Sequence, residues 1–370
     1  MKPLRTKTLD IVRNLALEIN YLPYVLKKNI ILNNPKKFLL VAHWLIGDLI
    51  VLTPSIRAIK DQYPDSKIDI IIPKGMKEVL SLNPNLNEII EINKEEIEEN
   101  FDWYAEKLKK NKYDVGIIFF EGDKLTSLLL KKAEIPIRVG CSNSGIRRGK
   151  GYYLTKKTKP CLKEKQYLFY NLDVLKTLNI FPKEIKAEIF VDKKTDEKYK
   201  KLMGKGLKII IHTAPNHKTH LWDNKKFAEV ADSLIETKKA KIFFTGSKKD
   251  ISLNEEIISL MKNKAVNLAG NSIKDFFAII KNSDLVISVD TGAAHVAAAF
   301  NVPLVELMGA GPYELWKPYS NNSIVIFHPE KCTECRSYKC FRKGKRNQEC
   351  MNSITNEEVV NAVDKLLSSN

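Results

Sequence analysis

The segment "DLVISVDTGAAHVAAAF", residues 284–300, decides the fold. Leu285 to Val289 form a continuous apolar run of strand length, the pattern of a strand buried on both faces. Asp290-Thr291-Gly292 ends the run, and an alanine-rich stretch follows at once. A strand that passes through a short polar turn into a helix is the unit of a parallel α/β sheet, whose ligands bind beyond the carboxyl ends of the strands. Gly292 lets backbone approach a ligand closely, and the helix start offers N–H groups with partial positive charge. A phosphate or diphosphate is the natural occupant. His295 falls in the first turn, where it can point toward that anion. Ala293, Ala294, Ala297, Ala298 and Ala299 leave room for the helix to lie close on the sheet. The same residues also fit a plain helix cap at Asp290-Thr291 with His295 in the core.

The pattern repeats along the chain. Apolar runs at 38–42, 68–72, 115–120, 207–211, 241–244, 285–289 and 303–307 alternate with segments of helical period. Those segments are 49–62, 75–82, 124–132, 224–238, 250–262, 274–282 and 293–300. Strands separated by helices give the fold class α/β, doubly wound with parallel sheets. A chain of 370 residues exceeds one ordinary hydrophobic core, so two domains are expected. The polar, lysine-rich stretch 181–206 reads as the linker between them. The expected division is a basic amphipathic extension at 1–36, one α/β domain at 37–185, a second at 186–352, and a terminal helix at 353–370. Thr355 is that helix's expected N-cap.

Lys and Arg outnumber Asp and Glu by 61 to 44, a balance of +17 that favours anionic partners. Two stretches are denser than the rest: 1–37 carries eight cations against two acids, and 131–165 carries eleven against two. Solvated surface is the plain alternative for both. The most apolar run, "FLLVAHWLIGDLIVL", is broken by His43, Gly47 and Asp48, so it reads as strand, loop and helix start and not as a membrane span. The N-terminus lacks a compact apolar core and a cleavage site, and no secretory signal is expected. Its helical spacing suits either a membrane surface or packing on the domain.

Three more strand ends have ligand-competent loops. In the first domain Asp48 opens a helix at the mouth of the sheet, where a carboxylate serves as a general base or simply as a cap. In the second, His212 and Thr213 stand where a strand stops, and His217, Lys218 and His220 follow before Trp222. Cations and hydroxyls there suit a diphosphate, and a solvated loop is the competing view. In "IFFTGSKKD", Gly246 makes the turn and Asp250 is within reach of a ribose hydroxyl.

Four of the six cysteines are spaced C-x2-C-x4-C-x9-C at Cys332, Cys335, Cys340 and Cys350. That spacing suits a structural tetrahedral thiolate site for zinc or iron; free thiols and disulfides are the other readings. Four thiolates leave no open catalytic position.

Together these stretches resemble glycosyltransferase family 9, the lipopolysaccharide heptosyltransferase family. The resemblance runs from about residue 37 to 365. It is carried by "IGDLIVLTPSIRAIKDQYPDSKIDIII", "IRVG" at 137–140, "HLWDNKKFAEVADSL", "FFTGS" and, most specifically, "LAGNSIKDFFAIIKNSDLVISVDTGAAHVAAAFNVPLVELMGAG". It implies a GT-B architecture, two facing Rossmann-like domains, with the acceptor domain first and the nucleotide-sugar domain second. It also implies an inverting transfer, without a metal in the transfer step, of heptose from ADP-heptose to an anionic glycolipid at the cytoplasmic membrane face.

Asp48 then matches the proposed catalytic base. Asp290, Thr291, Gly292 and His295 match the donor diphosphate loop, with His212, Thr213, Lys218, His220, Gly246 and Asp250 completing donor binding. Arg138, Arg147 and Arg148, in the basic stretch, are expected on the acceptor side. The chain departs from the family where a lysine usually precedes the tryptophan by two residues and His220 stands instead. Trp44-Leu45-Ile46 replaces a small polar segment, and "GAGPYELW" lacks the usual hydroxyl and acid. Rival readings are another nucleotide sugar or a protein acceptor, a sugar-nucleotide epimerase, and a basic nucleic-acid-binding protein. The last needs aromatics interleaved with cations, and the aromatics here fall mostly in core runs, so no nucleic acid is expected.

Overall fold

A computed structural model describes residues 32–42, 45–119, 124–141, 153–159, 165–215, 217–309, 311–328 and 340–368. The chain divides into two compact units, Met1–Lys186 and Ala187–Asn370. The first holds strands β1 (Lys37–Val41), β2 (Lys67–Ile72), β3 (Glu88–Glu91), β4 (Val115–Ile118), β5 (Ile137–Gly140) and β6 (Lys156–Lys157). The second holds β7 (Lys208–His212), β8 (Lys241–Thr245), β9 (Val266–Asn267), β10 (Leu285–Val289), β11 (Leu304–Met308) and β12 (Ser323–Phe327).

The sheets run β3-β2-β1-β4-β5-β6 and β12-β11-β10-β7-β8-β9, and each neighbouring pair is parallel. Both orders describe one topology: the first strand of each unit lies central, the next two are added on one side and the last three on the other. The order reverses between β1 and β4, and again between β7 and β10. At such a switch point the loops diverge and leave a crevice at the strands' carboxyl ends. Asp48 follows β1, the His212–His220 loop follows β7, and Asp290–Gly292 follows β10. These are the three loops beside the two reversals for which the sequence suggested chemistry.

Packing explains the apolar runs. In the first unit, Leu39, Val41, Ile71 and Ile118 pack on one face against Leu129, Leu130 and Ala105. In the second, Ile209, Ile211, Phe244, Ile287, Val289, Val305 and Leu307 form one face with Trp222, Phe227 and the apolar side of the helix Asn356–Ser368. That helix is capped as expected: Thr355 Oγ1 accepts the Glu358 N–H at 3.2 Å, while the Glu358 carboxylate accepts the Thr355 N–H at 2.8 Å.

The stretch read as a linker contains a helix, Lys193–Met203. Asp192 caps it through the Thr195 N–H, and Tyr199 and Met203 are buried. Only two of its eleven residues are buried, so its lysine-rich composition hid the apolar contacts that hold it.

Candidate functional site

The turn after β10 is built as a helix start. Thr291 is extended, and its Oγ1 accepts the Ala293 N–H at 3.2 Å, so the helix Gly292–Phe300 begins on a threonine cap. Asp290 is left with its carboxylate outside the cap. Ala293, Ala294, Ala297 and Ala299 are buried, which is why small side chains occupy this helix. Its N-terminus directs partial positive charge toward the space above the strand ends.

Asp290 is the centre of the cluster. His220 Nδ1 lies 3.3 Å from its Oδ2, and both side chains are largely shielded from solvent. His217 stands edge-to-face to His220, with ring centres 5.9 Å apart. Burial, followed by the neighbouring His220, lowers the pKa of His217. Lys218 is exposed in the same loop, and its carbonyl accepts the Gln348 side-chain amide. Gly311 closes the cluster: a Cβ there would lie 2.6 Å from Asp290 Oδ2 and 3.6 Å from His220 Cε1. Only a residue without a side chain fits against the carboxylate.

His295 is buried and packs edge-to-face on Trp316 at 6.0 Å. Burial pushes its pKa down to about 4, against a partial opposing pull from Asp290. At neutral pH His295 is therefore an uncharged ring against an aromatic. His212 is similar: burial takes it to about 4, and its Nδ1 pairs with Thr245 Oγ1 at 3.0 Å.

Strand register exposes a feature the sequence did not show. Thr245 pairs with His212, His212 with Ser288, and Ser288 with Glu306. These four residues form one row across β8, β7, β10 and β11, on the face opposite the aliphatic cluster, with adjacent strands about 4.8 Å apart. Thr245, Ser288 and Glu306 are essentially inaccessible. Ser288 Oγ lies 3.2 Å from Thr291 Oγ1 and so ties the row to the turn above it. Glu306 Oε2 is buried without a hydrogen-bond partner among the described residues. Burial, and secondarily the Asp290 charge, push its pKa well above the ordinary carboxylate value. The available signal was an acid inside "PLVELM", but its neighbours emerge only from the register.

The other expected site residues fall elsewhere. Thr213 is fully buried and donates to Asn254 Oδ1 at 2.7 Å, so its hydroxyl holds the loop from beneath. Asp250 accepts the N–H and the hydroxyl of Ser247, each at 2.7 Å, and caps the short helix after β8. A Cβ on Gly246 would meet Asp250 Cβ at 2.8 Å, so this glycine serves the tight turn. Asp48 is in the first turn of the helix Ile46–Gln62, half-buried, and accepts the Leu45 N–H at 3.1 Å. Gly47 is inside that helix; the chain does not turn there. Arg138 Nε donates to the Tyr153 carbonyl at 2.8 Å and its Nη1 to that of Ile135. Its guanidinium thus holds the backbone around β5, and burial lowers its pKa.

Arg147, Arg148, Cys332 and Cys335 lie outside the described residues. Cys340 Sγ accepts the Gln348 N–H at 3.3 Å and Cys350 is buried. Among the described residues no group of three or more His, Cys, Asp or Glu gathers as a metal site. No helix among them is long and apolar enough to cross a membrane.

The model of the family described as glycosyltransferase family 9 (heptosyltransferase) matches residues 104–346. "Lipopolysaccharide heptosyltransferase 3" of Escherichia coli is 27% identical over 344 residues, 87% of this chain and 97% of that protein. The crystal structure of a family 9 glycosyl transferase from Veillonella parvula superposes with a TM-score of 0.76 at 22% identity, covering 91% of this chain and 100% of that one. The structure of the E. coli ADP-heptose lps heptosyltransferase II gives 0.72 at 22% identity, over 90% and 99%. These likenesses establish the fold as that of the GT-B heptosyltransferases.

Proposed function

Because the chain belongs to glycosyltransferase family 9 and is a glycosyltransferase, we propose that it transfers heptose from ADP-heptose, with inversion, to a lipopolysaccharide core or related anionic glycolipid. The observation that carries this reading is the Asp290–Gly292 turn, a helix start at the carboxyl end of β10 with His220 held 3.3 Å from Asp290. Such a site suits a diphosphate.

In the proposed step, an acceptor hydroxyl oxygen attacks the anomeric carbon while the bond from that carbon to the diphosphate oxygen breaks. Asp48 takes the hydroxyl proton, and ADP leaves with the bonding electron pair as added negative charge. The helix N-terminus, His220 and Lys218 stabilise that charge. No cofactor enters the transfer. The basic stretches are assigned to the phosphorylated acceptor and to the membrane surface that carries it.

The four cluster cysteines are proposed to hold a structural zinc or iron. The amide donating to Cys340 Sγ and the burial of Cys350 suit thiolate ligands. Metal analysis of the purified protein tests this, with none bound as the refuting result.

Incubation of the protein with ADP-heptose and a heptose-deficient core acceptor, followed by mass spectrometry, tests the main reading. The expected product is the acceptor one heptose heavier. Transfer from a UDP- or GDP-sugar alone would overturn the donor assignment, and conversion of the nucleotide sugar without acceptor would point to an epimerase.

A further inference from the structure

Glu306 is an acid where the fold has no evident use for one. It occupies the middle of β11, 1% exposed, with one carboxyl oxygen buried and unpartnered among the described residues. Its register neighbours are Ser288 on β10 and Val325 on β12. Ser288 contacts the cap hydroxyl of Thr291, Asp290 follows it by two residues in the turn after β10, and the chain leaving β11 returns through Gly311 onto the Asp290 carboxylate. Glu306 thus lies beneath the turn, bracketed by the two chain segments that shape it.

We propose that Glu306 is a positioning residue for the donor turn, holding the contact of Asp290 with His220 in place from beneath. This rests on the reading of that turn as a diphosphate site. Glu306 is buried in the sheet and its register neighbour Ser288 meets Thr291, so it acts through the turn.

Among the described residues, the charged surroundings of Glu306 are few. From the turn after β10 comes Asp290; β12 contributes no titratable group along Ser323–Phe327; and the helix Gly292–Phe300 contributes His295, kept neutral by its own burial. The helices Glu349–Asn352 and Asn356–Ser368 pack on the opposite face, with Val305 and Leu307, so their charged side chains do not compensate it. Among the described residues these elements bring no cation to a carboxylate formed at Glu306, and Asp290 is the anion that acts on it. Burial and Asp290 both favour the protonated form. As pH rises through the range where that proton is lost, Asp290 and any bound diphosphate meet a new like charge.

The test is the dissociation constant of ADP from pH 6 to pH 10 for the intact protein, Glu306→Gln and Glu306→Met. Wild-type affinity is expected to fall on the alkaline side by at least about tenfold, the scale of one added charge at close range. Both variants, which cannot ionise, are expected to bind with little change over the same range. Met also guards against an amide-specific effect of Gln. An alkaline fall of equal size in all three proteins, or none in the wild type, would overturn the inference while leaving the diphosphate site in place. Absence of ADP binding by every protein at every pH would instead remove the diphosphate reading, and this inference with it.

Discussion

Nδ1 of His220 lies 3.3 Å from Oδ2 of Asp290, in a contact that joins the loop after β7 to the turn after β10. These are the strands between which the sheet order reverses, so the contact spans the crevice that the topology opens. If the pair acts as one unit on the donor, His220→Ala and Asp290→Asn will not be additive. The expected coupling between them is about 1 kcal/mol or more in donor binding. A double-mutant cycle on ADP affinity measures it, and additive losses would separate the two residues.

Gly311→Ala adds one methyl group that would lie 2.6 Å from Asp290 Oδ2. The backbone there needs no left-handed conformation, so the substitution acts by displacement alone. Donor affinity should fall roughly tenfold or more, since a shift of about an ångström at a positioned group commonly costs more than that. Circular dichroism should remain that of the parent, and unchanged affinity would show that Asp290 tolerates being moved.

Asp48→Asn keeps a side-chain acceptor for the Leu45 N–H and removes the base. Turnover is expected to drop by about 10²–10⁴, the usual contribution of a general base, with donor affinity intact. Full turnover with the asparagine would leave Asp48 only its capping role.

His212 and His295 make the second unit sensitive to acid. Each titrates near 6.5 when exposed and is pushed down to about 4 in the fold. Below about 6.5 the unfolded chain takes up protons that the native state refuses, so stability falls as pH drops toward 4. The expected loss is roughly 3 kcal/mol per histidine at the acid end. Thermal melts from pH 7.5 to 4.5 should show Tm falling, with a shallower slope in His295→Phe; equal slopes would contradict the shifts.

The central strands were legible in the sequence because they are buried on both faces and so read as unbroken apolar runs. The segment 285–289 coincides with β10, and 224–238 with an observed helix. The edges were not. Strands β6 and β9 are two residues each, too short for any periodic signal, and β3 is "EIIE", whose two glutamates interrupt an apolar run. Asp290 and His220, which the structure brings together, stood out as candidates because polar residues in the loop after a buried strand are conspicuous. Thr213 and Asp250 were equally conspicuous, and what the sequence did not show is that the Thr213 hydroxyl bonds Asn254 and one carboxylate oxygen of Asp250 bonds Ser247. Position in sequence specifies which loop a side chain belongs to; only the packed loop specifies which way it faces.

The row Thr245–His212–Ser288–Glu306 bears on how the second unit folds correctly. Side chains alternate between faces along a strand, so a slip of one residue in any of these four strands would carry its polar member into the aliphatic face. In their place Phe244, Ile211, Val289 or Leu307 would enter the polar row. Mispaired sheets therefore carry a penalty that no loop can relieve. The groups that floor the proposed donor site also proofread strand pairing, and a chain that has assembled that floor has already passed the check on its own register.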